Sequence, residues 1–186
     1  MKVQDFLTPE RCALLVVDIQ ERLMPVIAGR EEVARNTVLL LKGAAVLRIP
    51  AVATTQYAAR IGDLIPEVRA ELDGVTPLDK MHFSCFGNPE VQARIESLRP
   101  KVDTLIVCGV ETHICIYQTV LGALRDGFRV VVAADAVSSR TVKNYEIGLA
   151  RMRELGAVVA STEMVLYELL NQAGTPAFKE MLPFLK

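Results

Sequence analysis

Residues 104–115, TLIVCGVETHIC, contain the change of backbone structure on which the fold prediction depends. The first five residues are a short apolar run of the kind that forms a buried parallel strand. Gly109 follows the run, and a helix is predicted to begin within the next four residues and to continue to residue 126. The sequence therefore places Cys115 in the first turn of a helix, just beyond the carboxyl end of a predicted strand.

The same alternation of apolar runs and amphipathic segments extends along the chain. Further strands are predicted at 13–18, 51–55, 128–135 and 157–161, and helices at 31–48, 66–72, 89–98, 144–155 and from Thr162 onward, before a C-terminal tail. Strands that alternate with helices predict βαβ units, and therefore an α/β fold with a parallel sheet covered on both faces. In such sheets ligands bind at the carboxyl ends of the strands.

Length and charge limit the classes of function. The 186 residues fit one domain, residues 1–186, and the formal net charge is −1. Nucleic-acid and membrane-surface partners select for clustered positive charge, so neither is predicted as a partner. Apolar residues make up 51% of the chain, which favours a homo-oligomer that buries further surface between copies.

Targeting signals and cysteine spacing predict a cytoplasmic protein. The N-terminal stretch has no apolar core typical of a signal peptide, and no apolar run approaches the roughly 18 residues needed to span a bilayer. Four cysteines are present without a C-x-x-C pair, which suits a reducing compartment. Cys12 and Cys108 lie in predicted strands and are expected in the core, whereas the role of Cys85 stays open.

Three side chains with complementary chemistry follow the predicted strands. Cys115 at a helix N-terminus is expected to have a lowered pKa because of the helix dipole. The free N–H groups of that turn can bind a developing oxyanion. Asp18 can take the thiol proton, and Lys80 can stabilise the negative charge that results.

Each of these residues also has a purely structural interpretation. Cys115 can fill core space, Asp18 can cap a loop, and Lys80 can be a solvated charge.

No dinucleotide-binding, P-loop or G-x-S-x-G motif is present, which argues against nucleotide binding and against a serine hydrolase. The two histidines, His82 and His113, are far apart in the sequence and do not support a zinc site.

Three segments resemble the isochorismatase-like cysteine hydrolase superfamily: VVDIQ at 16–20, DKMHFSCF at 79–86 and GVETHICIYQTV at 109–120. The resemblance extends from residue 11 to about residue 170. The TTQY stretch at 54–57 is most similar to the subgroup of isochorismatase domain-containing proteins. The resemblance implies a Rossmann-like, three-layer fold with a six-stranded parallel sheet flanked by helices.

The resemblance also implies roles for individual residues. Asp18 matches the general base of the family, Lys80 its lysine and Cys115 its nucleophile. A cis peptide is expected between Val110 and Glu111, with the N–H groups of Glu111 and Cys115 forming an oxyanion hole. Candidates for the walls of the substrate pocket are Gln20, Tyr57, Phe83 and Tyr117.

Two features of the sequence narrow the expected chemistry. Family members that bind zinc carry Asp-x-His where this chain has residues 56–58, QYA, so no catalytic metal and no cofactor are predicted. Because Cys115 is present, the vinyl-ether chemistry of isochorismate cleavage is not expected. The predicted function is hydrolysis of a small amide-like C–N bond through a cysteine thioester. The alternatives are hydrolysis of a small carbamoyl or ureido compound, and a non-catalytic scaffold or interaction protein.

Overall fold

The computed structural model describes residues 5–185, and its centre is a parallel sheet of six strands. Every strand pairs in parallel with its neighbours, in the order β3-β2-β1-β4-β5-β6. The α/β fold with a six-stranded parallel sheet is thus confirmed. The strands are β1 (Cys12–Val17), β2 (Ala51–Gln56), β3 (Leu78–Lys80), β4 (Thr104–Val110), β5 (Arg129–Ser138) and β6 (Val158–Ala160).

Eight α-helices accompany the sheet within the same residues. They are α1 (Arg30–Val46), α2 (Ala58–Ile61), α3 (Pro66–Ala70), α4 (Pro89–Glu96), α5 (Tyr117–Arg125), α6 (Val142–Glu154), α7 (Thr162–Leu170) and α8 (Pro176–Met181). A π-helical turn, Thr112–Ile116, joins β4 to α5. None of the helices in residues 5–185 combines the length and the apolarity needed to cross a membrane.

Two hydrophobic cores lie on the two faces of the sheet, because side chains alternate between the faces along each strand. Leu14 and Val16 of β1 contribute to the core that packs against α1 and α7. Leu15 and Val17 contribute to the opposite core, against α4, α5 and α6. Every residue of β1 is buried, which explains why an unbroken apolar run predicted this strand.

The chain reverses its direction of travel across the sheet between β1 and β4. β2 and β3 follow on one side of β1, whereas β5 and β6 follow on the far side of β4. The loops after β1 and β4 therefore diverge and leave a crevice at the carboxyl edge. Gly109, with φ of 120°, allows the two strands to approach closely there, because a Cβ atom would overlap the Val17 carbonyl oxygen.

The elements that periodicity did not predict include the four-residue helix α2, the strand β3 and the helix α8. β3 has three residues, LDK, and it lies at the edge of the sheet beside β2. So short a strand cannot show an alternation of apolar and polar side chains, and its only fully buried member is a lysine. The segment predicted as a C-terminal tail contains α8, whose N-terminus is capped by the hydroxyl of Thr175.

Candidate active site

Asp18, the first residue after β1, is completely buried at the carboxyl edge of the sheet. Its φ angle of 55° places it in the left-handed region. Its N–H donates to the carbonyl of Thr54 at 3.2 Å, and the Thr54 hydroxyl donates to Asp18 Oδ1 at 2.8 Å. One threonine of the neighbouring strand thus holds both the backbone and the carboxylate of Asp18.

Lys80, the last residue of β3, reaches the same carboxylate from the other side. Its Nζ donates to Asp18 Oδ2 at 2.6 Å and to Gln56 Oε1 at 2.8 Å, and the side chain is fully buried. The Gln56 amide nitrogen donates to the carbonyl of Met81 at 2.9 Å, which directs its oxygen toward Lys80. A buried charge persists in a protein when it is paired and hydrogen-bonded in this way.

Cys115 lies in the π-helical turn that follows β4, and it is buried. In a regular α-helix its N–H would donate to the carbonyl of Glu111. Here that carbonyl accepts from the N–H groups of Ile114 at 3.0 Å and Ile116 at 3.2 Å. Among residues 5–185, the turn therefore lacks the regular α-helical bond from the Cys115 N–H to the Glu111 carbonyl.

Burial raises the pKa of the Cys115 thiol, and the negative charge of Asp18 raises that pKa further. The positive charge of Lys80 acts in the opposite direction. The prediction of a lowered pKa was wrong, because the thiol is enclosed beside a carboxylate and does not face solvent at a helix N-terminus. A raised pKa favours the protonated form of the Cys115 thiol.

The backbone and the side chain of Glu111 have separate surroundings. The peptide bond between Val110 and Glu111 is cis. The Glu111 carboxylate forms an ion pair with Arg140, whose Nε lies 3.1 Å from Glu111 Oε2. The Glu111 side chain therefore fastens the turn after β4 to the loop after β5. The sequence prediction concerned only the backbone N–H of this residue.

The four predicted pocket residues lie in different environments. Tyr57 and Phe83 are exposed on the loops after β2 and β3, and Tyr117 is the partly buried first residue of α5. Gln20 has no exposed surface. Its amide donates to the carbonyls of Gln56 and Gly62 and accepts from the Gln56 N–H. Gln20 thus supports the end of β2 through these three hydrogen bonds.

The remaining cysteines and histidines are now assigned to places in the fold. Cys12 and Cys108 are completely buried, as predicted. Cys85 is also fully buried, and burial raises the pKa of its thiol to about 11 against the opposing charge of Lys80. It therefore lies beside the site as a neutral thiol. His82 is exposed, and His113 is half-buried beside Ser139.

Sequence reasoning did not identify Thr54 and Gln56 as members of the site. Both residues lie on β2 and hydrogen-bond to a member of the Asp18–Lys80 ion pair. Each is separated in sequence by more than 20 residues from the partner it contacts. The sequence did contain a signal, because Thr54 and Gln56 are polar residues near the end of β2. In the sheet this strand lies between β1 and β3, which lead to Asp18 and Lys80. Using it requires the strand order, which periodicity does not supply.

Within residues 5–185, no group of three or more His, Cys, Asp and Glu side chains is arranged to hold a metal ion. A cavity of about 700 Å³ lies between α1 and α3, with Met24, Val38 and Ile65 among its walls. None of Asp18, Lys80 and Cys115 lines that cavity.

Sequence comparisons find relatives along nearly the whole chain. A family model described as the isochorismatase domain matches residues 12–164. Among curated proteins, the secreted isochorismatase effector Isc1 of Phytophthora sojae is 36% identical over 183 residues, which cover 97% of this chain and 87% of that protein. The mouse isochorismatase domain-containing protein 2A is 35% identical over 178 residues, covering 96% of this chain and 84% of that protein.

Solved structures share the whole architecture. The MAR1 ribonuclease of Caenorhabditis elegans superposes with a TM-score of 0.91 at 29% identity, covering 97% of this chain and 92% of that one. The YcaC gene product of Escherichia coli, described as an octameric hydrolase of unknown specificity, superposes with a TM-score of 0.90 at 22% identity, covering 98% and 94%. At that identity the second likeness shows the fold alone.

Proposed function

Since the chain belongs to the isochorismatase family of hydrolases, we propose that it cleaves the C–N bond of a small amide-like substrate through a thioester on Cys115. The observation that carries the proposal is the buried ion pair of Lys80 and Asp18 against the Cys115 thiol. A nucleophile, a nearby base and a cation that orients the base are the three parts that acyl transfer requires.

The first half-reaction acylates the cysteine. Asp18 accepts the thiol proton as sulfur attacks the carbonyl carbon, and the carbonyl π electrons move to oxygen. The N–H groups of Glu111 and Cys115 bind that oxyanion. When the tetrahedral adduct collapses, the C–N bond breaks, Asp18 gives its proton to the nitrogen, and the amine or ammonia leaves a thioester behind.

The second half-reaction hydrolyses the thioester. Asp18 takes a proton from a water molecule, whose oxygen attacks the thioester carbon. Collapse breaks the C–S bond, and the proton returns to sulfur. The sum is an amide plus water giving a carboxylic acid plus an amine. Throughout, Lys80 stays charged, so a negative charge on Asp18, on sulfur or on the oxyanion always has a cation nearby.

Trapping the acyl-enzyme tests this mechanism. A panel of small aliphatic and aromatic primary amides is incubated with the protein, quenched in acid within the first turnover, and analysed by peptide mass spectrometry. The expected result is an acyl group on Cys115 and ammonia released in an initial burst. The Cys12→Ala variant, which alters a buried thiol at the opposite edge of the sheet, should give the same adduct. Ammonia release that persists in Cys115→Ala would overturn the mechanism.

We further propose a small molecule as the substrate in place of RNA, although one structural neighbour is named a ribonuclease. Support comes from the net charge of −1 and from the burial of all three reactive side chains. An RNA ligand would favour clustered positive charge and accessible groups. Incubation with labelled single-stranded RNA should leave the RNA intact, whereas cleavage lost in Cys115→Ala would contradict the small-molecule proposal.

Assembly and location complete the proposal. We propose a homo-oligomer, supported by the high apolar content of the chain and by the octameric structural neighbour. We also propose a cytoplasmic location, supported by four free buried cysteines, which suit a reducing compartment, whereas one curated relative is named a secreted effector. Light scattering should give a multiple of 20.4 kDa, and a monomeric mass would contradict the first of these proposals.

A further inference from the structure

The loop after β5 holds the Glu111 carboxylate with three hydrogen bonds. The backbone N–H of Arg140 donates to Glu111 Oε2 at 2.9 Å, and its Nε donates to both carboxylate oxygens at 3.1 Å. Glu111 is 8% exposed, whereas the Arg140 side chain is 58% exposed. A nearly buried carboxylate is thus neutralised by a single cation that reaches it from the surface.

A second contact joins the same two segments. His113 Nδ1 lies 2.9 Å from the hydroxyl of Ser139, which is completely buried. The carbonyl of Ser139 accepts from the N–H of Ala28 at 3.0 Å, and the Ser138 hydroxyl donates to the carbonyl of Ala28 at 2.6 Å. The loop that holds Glu111 is therefore itself fixed to the segment that precedes α1.

The Glu111–Arg140 ion pair connects the loop after β5 to the turn that supplies the proposed oxyanion donors. Glu111 and Cys115 bracket the π-helical turn, and the N–H groups of these two residues are the donors proposed for the oxyanion. If Arg140 released the Glu111 side chain, the turn would lose three of the hydrogen bonds that join it to the loop after β5. In addition, the residue that supplies one of the proposed oxyanion donors would carry a nearly buried carboxylate without its cation, and an unpaired buried charge is costly.

We infer that Arg140 is a positioning residue for acyl transfer, which acts through the Glu111 carboxylate on the oxyanion-binding turn and does not contact the thiol. The inference rests on the proposed function. It predicts that Arg140 affects addition to a carbonyl, which needs the oxyanion donors, and leaves the intrinsic reactivity of Cys115 unchanged. Reaction of the thiol with a haloacetamide proceeds by displacement of iodide and develops no oxyanion.

Two probes separate these effects without a known substrate. The rate of Cys115 alkylation by iodoacetamide reports the thiol itself. Protection of Cys115 by propionaldehyde reports carbonyl addition, because the sulfur bonds to the aldehyde carbon and the thiol proton moves to the aldehyde oxygen, giving a hemithioacetal. In Arg140→Ala the aldehyde affinity should fall about 10- to 100-fold, somewhat less than the loss of one whole oxyanion donor, while the alkylation rate stays within twofold.

Matched variants assign the effect to the Glu111 contact. Arg140→Lys keeps the charge but loses the two-oxygen contact of Nε, so it should recover part of the aldehyde affinity. Glu111→Gln introduced into Arg140→Ala removes the uncompensated charge and should also recover part of it. Arg11→Ala, an exposed arginine paired with Asp103 at the opposite edge of the sheet, should behave as the unaltered protein.

Three outcomes would overturn the inference. Unchanged aldehyde affinity in Arg140→Ala would remove any role for Arg140. Equal losses in aldehyde affinity and alkylation rate would assign it a general structural role, which the unfolding temperature measured beside them would register. Failure of propionaldehyde to protect Cys115 in the unaltered protein would instead reject the proposed thioester chemistry, and the inference with it.

Discussion

Cys108 and Cys115 are two buried thiols seven residues apart, and they differ in what surrounds them. Cys108 lies within β4 on the α1 face, where burial raises the pKa of its thiol to about 12 and no charged group contributes to that rise. Burial also raises the pKa of Cys115, but there the charges of Asp18 and Lys80 act in opposite directions. Burial alone makes a thiol inert, whereas Cys115, unlike Cys108, lies near a carboxylate whose charge changes when it takes up a proton.

Replacing the nucleophile should produce the largest effect. In Cys115→Ser, kcat/KM for any amide that the protein hydrolyses should fall by at least about 10³-fold, because a serine hydroxyl is far harder to deprotonate with the same carboxylate. Ammonia release measures the change. If Cys115→Ser kept more than a tenth of the activity, the comparison between the two thiols would lose its functional meaning.

Removing the charge of Asp18 should separate turnover from thiol reactivity. Asp18→Asn should lower turnover by about 10³-fold, because no base remains to accept the proton. The same change removes a negative charge that raises the Cys115 pKa, so that pKa should fall. Below the pKa each unit of decrease gives about ten times more thiolate, and alkylation at pH 7 should therefore be faster. Slower alkylation in a folded Asp18→Asn protein would contradict the electrostatic effect of Asp18 on the Cys115 thiol.

Removing the charge of Lys80 should shift the same thiol in the opposite direction. Lys80→Met deletes the cation that lowers the Cys115 pKa, so alkylation at a given pH should be slower than in the unaltered protein. It also leaves the Asp18 carboxylate buried without a cation, which should cost about 3–5 kcal/mol of unfolding free energy. Denaturant unfolding measures this loss of unfolding free energy. An alkylation rate equal to that of the unaltered protein would contradict the electrostatic effect of Lys80 on the Cys115 thiol.

The contact from Thr54 should have a smaller effect than either charge. Thr54→Val keeps the shape of the side chain but removes the hydrogen bond to Asp18 Oδ1, which should lower turnover about 10- to 100-fold through misorientation of the carboxylate. Thr54→Ser restores the hydroxyl and should recover most of the activity. Equal losses in the valine and serine variants would point to packing of the missing methyl group and not to the hydrogen bond.

The sequence predicts the strands and helices well where burial is continuous, and poorly where contacts are distant in the chain. The apolar run of β1 and the Asn88-Pro89 start of α4 are local signals, and both elements form where predicted. β3 is too short to show periodicity. The charge environment of Cys115 depends on Asp18 and Lys80, which lie 97 and 35 residues earlier in the chain, so the helix dipole alone gave the wrong sign for its pKa shift.

Deleting the sulfur of Cys108 should have the smallest effect and gives the sharpest control for the comparison. In Cys108→Ala the free energy of unfolding should fall by about 1–2 kcal/mol, because a small cavity replaces atoms packed in the core of the α1 face. Turnover and the rate of Cys115 alkylation should stay unchanged, because the two thiols lie on opposite faces of the sheet. A tenfold loss of turnover in a folded Cys108→Ala protein would mean that β4 transmits packing changes across the sheet into the π-helical turn. The difference between the two cysteines would then arise partly from backbone geometry and not only from the neighbouring charges.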